Sequence, residues 1–174
     1  MRRAQYNDCS EEEFLAKTVS LSKHTISEDL LISSLFAYLS ENFRGVYHTE
    51  EIEVAGGYLH FAPEGFAYCL RHLLRAGEEH GSVGISYHSK PSPVLCLSLP
   101  RVILLTDDIK REIRSVAASS DISFYGLGDN RFCLRFDPAE RLHLSVYAPV
   151  EDILLAAFSR MLSSIAPKKK GADR

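Results

Sequence analysis

Residues 62–80 read APEGFAYCLRHLLRAGEEH, and this stretch decides the fold. Pro63 is typical of the first turn of a helix, because its φ is already helical and the N–H it lacks is not needed there. The predicted helix ends near His80 and Gly81, since glycine readily takes a left-handed C-cap. One face of this helix collects small and apolar residues at spacings of three and four: Phe66, Cys69, Leu70, Leu73, Leu74 and Gly77.

The segments on either side of this helix alternate between helix and strand patterns. Ser27 is a good N-cap for an earlier helix, and Glu28 and Asp29 favour the positive end of its dipole. Thr106 caps a later helix at 107–118 in the same way. Strands are predicted at 17–22, 50–54, 58–61, 83–87, 94–99, 122–125, 131–136 and 141–147, and a last amphipathic helix at 150–165.

This order of elements predicts the fold class. Helices that alternate with strands and hairpins in this way pack on one face of a mixed, mainly antiparallel sheet, which makes an α+β two-layer sandwich with an extra C-terminal helix. The strands at 131–136 and 141–147 are expected to form a hairpin, because residues 137–140 read Asp-Pro-Ala-Glu, a turn sequence.

One core is expected for 174 residues of which 45% are hydrophobic. The predicted divisions are an N-terminal extension at 1–16, the sandwich at 17–149, the amphipathic helix at 150–166, and a disordered basic tail at 167–174 that contains three lysines at 168–170. The apolar side of the last helix either seals the sheet or forms a homodimer through residues 150–165.

Charge and hydropathy exclude several classes of partner. Twenty Lys and Arg against 23 Asp and Glu give a net charge of -3, which argues against nucleic acid or an anionic membrane. No apolar run approaches the ~20 residues of a membrane span, so a cytoplasmic location is expected. The cysteines form no C-x-x-C pair and are expected to be reduced thiols, not a disulfide frame or a zinc site: Cys9, Cys69, Cys96 and Cys133.

In pattern and order, the chain resembles the histidine-kinase-type ATPase domain, the GHKL or Bergerat fold shared with Hsp90, gyrase B and the anti-sigma kinases. The resemblance covers about residues 17–149. It rests on six segments that are similar to elements of the family: 30–43 and 52–54 to its first helix and next strand, 62–80 to its second helix, 83–87 and 94–99 to the strand pair that follows, and 132–149 to its closing hairpin.

The ligand positions that this resemblance implies are altered. The second helix of the family carries an Asn that ligates the Mg²⁺ of the nucleotide, and another polar residue four positions earlier; Ala76 and His72 stand there. Alanine offers no oxygen, and Mg²⁺ requires oxygen ligands. The family's Asp-x-Gly-x-Gly motif, which binds adenine, corresponds to residues 97–105, where there is neither an acid nor a glycine. The resemblance therefore implies a degenerate domain.

Gly126 and Gly128 stand where the family has its glycine-rich phosphate-binding box. In the family these glycines lead into a helix whose N-terminal amides face the phosphates. Here they lead into the strand pattern at 131–136, and a G-x-G spacing alone is weak evidence for a ligand. An ordinary turn is expected, and the nucleotide lid before the third helix is almost absent.

The histidines and acidic pairs give no independent sign of catalysis. His72 and His80 are eight residues apart on one helix, which is too far for joint metal ligation at i,i+4 spacing. His24 is expected to be a solvated histidine at the end of a strand, because a phospho-accepting histidine projects from a long helical hairpin. The acidic pairs at 78–79 and 107–108 fit helix ends.

The predicted function is a regulatory protein-interaction module, a histidine-kinase-like pseudokinase without nucleotide chemistry or cofactor. The implied setting is bacterial signal transduction, with a response regulator, a kinase or a sigma factor as partner. No enzymatic activity is expected. Two alternatives stay open. One is a true ATPase or an ATP-dependent histidine or serine kinase that holds Mg-ATP through divergent ligands. The other is an unrelated α+β interaction domain.

Overall fold

A computed structural model describes residues 4–6, 19–78, 81–101, 103–128, 130–139 and 150–166. None of the helices in these ranges is long and apolar enough to cross a membrane. The elements in chain order are β1 (Ala4–Tyr6), β2 (His24–Ser27), α1 (Glu28–Asn42), β3 (Tyr47–Glu53), β4 (Tyr58–Phe61), α2 (Pro63–Glu78), β5 (Val83–His88), β6 (Val94–Ser98), β7 (Ile103–Leu105), α3 (Asp107–Ser119), β8 (Ile122–Gly126), β9 (Arg131–Ala139) and α4 (Val150–Leu162).

Seven of the described strands form one mixed sheet in the order β2-β4-β9-β6-β5-β3, with β8 also paired to β9. All neighbours in this sheet run antiparallel except β3 and β5, which are parallel. β1 and β7 form a separate parallel pair. The predicted α+β class with a mainly antiparallel sheet is confirmed.

The helices pack on one face of this sheet. Along β5, Val83, Ile85 and Tyr87 enter a single core together with apolar side chains of α1, α2, α3 and α4. The alternate residues of β5 lie on the opposite face, because successive side chains of a strand point to opposite sides. The molecule therefore has two layers, as predicted.

Local capping sets the helix starts where the sequence predicts them. The Ser27 side chain accepts a hydrogen bond from the Leu30 N–H at 3.1 Å, and Thr106 Oγ1 accepts one from the Ile109 N–H at 3.4 Å. These bonds satisfy donors that the first helical turn leaves free. Pro63 is the first residue of α2.

The predicted turn at 137–140 is wrong. Residues 137–139 continue β9 and pair with β4, with Pro138 opposite Leu59. β9 forms a hairpin with β8 through the turn after Gly126, and this hairpin spans Ile122–Ala139. The second half of the predicted closing hairpin at 132–149 lies outside the described residues. A second neighbouring strand keeps the chain extended here, and a proline is tolerated at a position where the ladder needs no donor.

Other sequence predictions are corrected or are not covered. Residues 19–22 are not a strand; the strand begins at His24. The strand β1, in the predicted N-terminal extension, was not expected. The predicted strand at 141–147, His80, Cys9 and the tail at 167–174 lie outside the described residues.

Candidate functional site

α2 carries the two residues that the resemblance aligns with the family's Mg²⁺-ligating Asn and with the polar residue four positions before it, and both are buried. His72 is 0% exposed and Ala76 is 2% exposed. The His72 ring packs edge-on against Tyr68, with ring centroids 4.9 Å apart. The Tyr68 hydroxyl in turn donates a hydrogen bond to Glu112 Oε1 of α3 at 3.0 Å. This face of α2 is therefore packed against α3.

The environment of His72 keeps its ring neutral. Burial, together with the nearby cations of Arg71 and Arg75, lowers the pKa of His72 to about 3. At neutral pH the ring thus carries no charge. A neutral imidazole between packed helices offers no oxygen to a hard cation such as Mg²⁺.

The segment 97–105, which the resemblance aligns with the family's adenine-binding motif, contributes to the core. Leu99, Ile103 and Leu105 are each no more than 3% exposed, and β7 contacts α2. At the end of α2, a Cβ on Gly77 would overlap the side chain of Val83. Large apolar side chains of β7 and close backbone packing at Gly77 therefore lie against α2.

Of the two glycines that the resemblance aligns with the family's phosphate-binding box, Gly126 is the last residue of β8 and Gly128 lies in the turn between β8 and β9. Gly128 has φ +82°, a conformation that favours glycine. Hydrogen bonds from the Leu99 N–H to the Asn130 carbonyl (2.7 Å) and from Asn130 Nδ2 to the Leu99 carbonyl (3.1 Å) fix this turn beside the end of β6. The next element is the strand β9, so these glycines present no helix N-terminus to a phosphate.

Arg71 is a buried cation that the sequence analysis missed. It is 1% exposed, and its Nη1 donates hydrogen bonds to the Met161 carbonyl at 2.9 Å and to Ser164 Oγ at 2.6 Å. A cation at the last carbonyls of α4 also interacts favourably with that helix's dipole. The sequence signal that could have indicated the burial of Arg71 is its position beside Leu70 and Leu73 on a helix with an apolar face.

The apolar side of α4 is used within this chain. It packs against α1 and α2 through the residues Leu154, Ala157, Phe158, Met161 and Leu162. Phe158 contacts the rings of both Tyr38 and Phe66. Arg160 forms an ion pair with Glu64 of α2. Of the large apolar side chains, Leu155 remains exposed on the other side of this helix.

A second buried charge, Glu28, lies at the start of α1. Its carboxylate accepts hydrogen bonds from the Tyr87 hydroxyl at 2.6 Å, from the Gly57 N–H at 2.9 Å, and from the Ser89 hydroxyl. Burial and the adjoining carboxylate raise the pKa of Tyr87, so this hydroxyl stays protonated. The arrangement joins α1, the loop before β4 and the end of β5, and we assign it a structural role.

One group of side chains could share a cation on the surface. Glu51, Glu53 and His88 bring their ligand atoms within 4.8 Å of one another. Both glutamate side chains are at least 65% exposed, and His88 lies 3.3 Å from Glu53 and 3.8 Å from Glu51. Ordinary surface ion pairing explains this group. His24, at the start of β2, pairs through its backbone with Phe61.

Surface grooves in the described part of the chain include one beside α3 and one beside α4. The larger, about 400 Å³, lies between α3 and β8 and is lined by Arg114, Asp121, Phe124 and Asp137, among others. The smaller, about 240 Å³, lies between α2 and α4 and is lined by Pro63, Glu64, Ile153 and Arg160, among others. Neither groove is lined by His72, Ala76, Gly126 or Gly128.

The element order and the helices on one face of a mixed sheet agree with the histidine-kinase-like fold that the sequence resemblance implies. No protein-family model and no curated protein matches the sequence. The chain is similar to solved structures of histidine kinases. They include AdeS of Acinetobacter baumannii (10% identity, TM-score 0.48, covering 73% of this chain and 75% of that one). They also include the cytoplasmic segment of QseC (13%, 0.44, 76% and 91%) and a kinase from Burkholderia phymatum STM815 (12%, 0.40, 74% and 74%). Likeness this distant says nothing about ligand, partner or activity.

Proposed function

We propose that this chain is a histidine-kinase-like domain that binds no nucleotide and acts in signal transduction by contact with another protein. The observation that carries the proposal is the burial of His72 and Ala76 against neighbouring elements. The resemblance aligns Ala76 with the family's Mg²⁺-ligating Asn and His72 with the polar residue four positions earlier. A response regulator, a kinase or a sigma factor is the proposed class of partner.

The cost of making room for a nucleotide supports this proposal. Space beside α2 would require Ile103 and Leu105 of β7 to leave the core. Exposing a buried Ile or Leu side chain costs roughly 1.5–3 kcal/mol each. The ligand would then meet Ala76, which has no oxygen for the cation. The cost of unpacking the protein would therefore weaken nucleotide binding, and no contact between the metal and residue 76 would offset it.

The position of α4 bears on the kind of contact proposed. Its apolar side is held inside the chain, with Arg71 fixing its C-terminal end. A homodimer through 150–165, which we keep as part of the proposal, would therefore use the opposite side, where Leu155 is exposed. Light scattering of the natural chain and of a Leu155→Glu variant tests this, and a dimer through this side is expected to dissociate in the variant.

Thermal unfolding with Mg-ATP tests the absence of nucleotide binding. A site with a dissociation constant of about 10 μM would stabilise the fold by roughly 2.7 kcal/mol at about 1 mM ligand, which is several degrees in Tm. We expect no shift. The alternative, a genuine ATP-binding domain, predicts a shift of that size.

A matched pair of variants identifies the site of any shift. Gly128 has φ +82° and Gly45 has φ +84°, and neither has an atom within 4 Å of an added Cβ. Alanine at either position therefore introduces similar backbone strain. A shift that Gly128→Ala abolishes and Gly45→Ala retains would identify a working phosphate box and overturn the proposal.

The partner half of the proposal needs a separate measurement. Purified response regulators, histidine kinases and sigma factors from the same cells would be titrated with the labelled chain, with and without Mg-ATP. Binding to one of these classes that is unchanged by nucleotide is the expected result. Binding that requires Mg-ATP, or binding to none of the three classes, would contradict the proposal.

A further inference from the structure

Two cysteines face each other across the centre of the sheet. In the antiparallel pair of β6 and β9, Cys96 lies directly opposite Cys133. Neither takes part in the proposed function, and both are reduced thiols. Their side chains lie on the face of the sheet opposite the helices, because the residues on either side of each cysteine belong to the core cluster.

The hydrogen bonds of the ladder give the type of pairing. The N–H of Leu99 bonds to the carbonyl of Asn130, and the N–H of Phe136 bonds to that of Pro93, so these opposite residues are hydrogen-bonded pairs. Pair types alternate along an antiparallel ladder. Counting inwards from either end makes Cys96 and Cys133 a non-hydrogen-bonded pair, the type in which the two side chains are closest.

This geometry suits a disulfide. Opposite Cα atoms in a non-hydrogen-bonded pair are typically about 4.5 Å apart. Disulfides join cysteines whose Cα atoms are about 4.4–6.8 Å apart. The pair therefore lies at the short end of the permitted range, where a bond can form without displacing either strand.

The neighbours of the pair distinguish the two sulfurs. The thiol of Cys133 donates a hydrogen bond to Cys96, and this bond lowers the pKa of Cys96 to about 7 against the opposing effect of burial, with help from the cation of Arg131. The same interaction raises the pKa of Cys133. Of the two sulfurs, Cys96 is therefore the one that loses its proton more readily. Tyr125, opposite Cys133 on β8, and Ser86, opposite Cys96 on β5, flank them.

The surroundings of Cys69 differ from those of the Cys96–Cys133 pair. It lies in α2 within the core, its S–H donates to the Ile113 carbonyl at 3.7 Å, and burial raises its pKa. A thiol in such surroundings is unreactive, because the thiolate is the nucleophile. Cys96 is 4% exposed and Cys133 is 0% exposed, so access to the pair is restricted to small reagents.

We propose that Cys96 and Cys133 are a reversible redox site that hydroperoxides oxidise to a cross-strand disulfide. The Cys96 thiolate attacks a peroxide oxygen and the O–O bond breaks, which leaves a sulfenic acid on Cys96 and, with one proton, releases water from hydrogen peroxide. The Cys133 sulfur then attacks the Cys96 sulfur. The S–S bond forms, the S–O bond breaks, and hydroxide leaves with the Cys133 proton as a second water. A dithiol reductant restores both thiols by exchange.

Peptide mapping of the natural chain tests the proposal. The folded protein is treated with hydrogen peroxide at about pH 7, quenched, unfolded, alkylated and digested for mass spectrometry. The expected product is a disulfide between the Cys96 and Cys133 peptides that dithiothreitol removes, while Cys69 remains an alkylated thiol. A disulfide that includes Cys69, or recovery of both Cys96 and Cys133 as alkylated thiols, would overturn the proposal.

A pair of variants tests the roles of the two sulfurs. Cys133→Ala removes the hydrogen-bond donor, so the Cys96 pKa should return towards its ordinary value and its reaction with peroxide should slow about five-fold at pH 7, after allowing for the greater nucleophilicity of a more basic thiolate. The product should be a sulfenic acid on Cys96 that dimedone traps. Cys69→Ala should leave the disulfide unchanged. Equal rates in the natural chain and Cys133→Ala would refute the assigned roles, and the peptide map is decisive if this variant does not fold.

Discussion

The buried ring of His72 is expected to make the protein lose stability in mild acid. In the folded chain, burial lowers the pKa of His72 to about 3 from an ordinary value of 6.5. Between these two values the unfolded chain binds a proton at this ring and the folded chain does not. The contribution to stability is therefore fully present above pH 6.5 and is lost as the pH falls towards 3.

The size of the effect follows from the shift. Each pH unit below 6.5 removes about 1.4 kcal/mol from the free energy of unfolding, or roughly 3 kcal/mol by pH 4.5. A His72→Leu variant has no proton to bind at this position. Its stability should change less steeply over the same range, whatever its stability at pH 7.

Urea unfolding at a series of pH values between about 7 and 4.5 measures this slope. Far-UV circular dichroism is the suitable signal, because the chain has no tryptophan. The control is His48→Gln, since His48 is exposed and bonds to Ser82 on the surface. If the natural chain and His72→Leu lost stability in parallel, or if His48→Gln flattened the slope equally, the reasoning about the buried ring would be refuted.

Three further variants test the packing around the site, all by urea unfolding. Glu28→Ala should lower the free energy of unfolding by about 2–4 kcal/mol, because it leaves the buried donors of Tyr87 and Ser89 unsatisfied. Asp29→Asn, at the exposed neighbouring position, should lower it little. Equal losses in the two variants would contradict the structural role of Glu28. Arg71→Gln should lower the free energy of unfolding by about 1–3 kcal/mol and make α4 more sensitive to proteases. Unchanged proteolysis would mean that Arg71 does not hold this helix in place. Ala76→Asn should lower the free energy of unfolding by about 2–4 kcal/mol, because the buried site has no room for an amide. The variant should also gain no affinity for Mg-ATP. A stable variant that binds Mg-ATP would show that the site is open.

The helices were predictable because their signals are local. Pro63, the apolar spacing after it and the caps Ser27 and Thr106 all lie within one or two turns of the helix they define. The fold class followed from the order of such elements. Ala76 was also interpretable from sequence, since the absence of an oxygen atom does not depend on the surrounding structure.

The rest depended on contacts between distant residues. Glu28 was taken for a residue that favours a helix dipole, and Arg71 was not singled out, because the partners that bury them lie 29 to 93 residues away in sequence. Pro138 was assigned to a turn because its strand partner, Leu59, belongs to another part of the chain. Cys96 and Cys133 lie opposite each other because of the register between β6 and β9. The spacing of the cysteines in the sequence does not predict this register.

Co-crystallisation with Mg²⁺ and a non-hydrolysable ATP analogue, at about 1 mM or more, tests the central claim most directly. We predict that α2, α3 and β7 remain packed around His72 and Ala76, with no nucleotide between them. A triphosphate beside α2, with a cation coordinated near Ala76 and its phosphates against Gly126 and Gly128, would contradict this account.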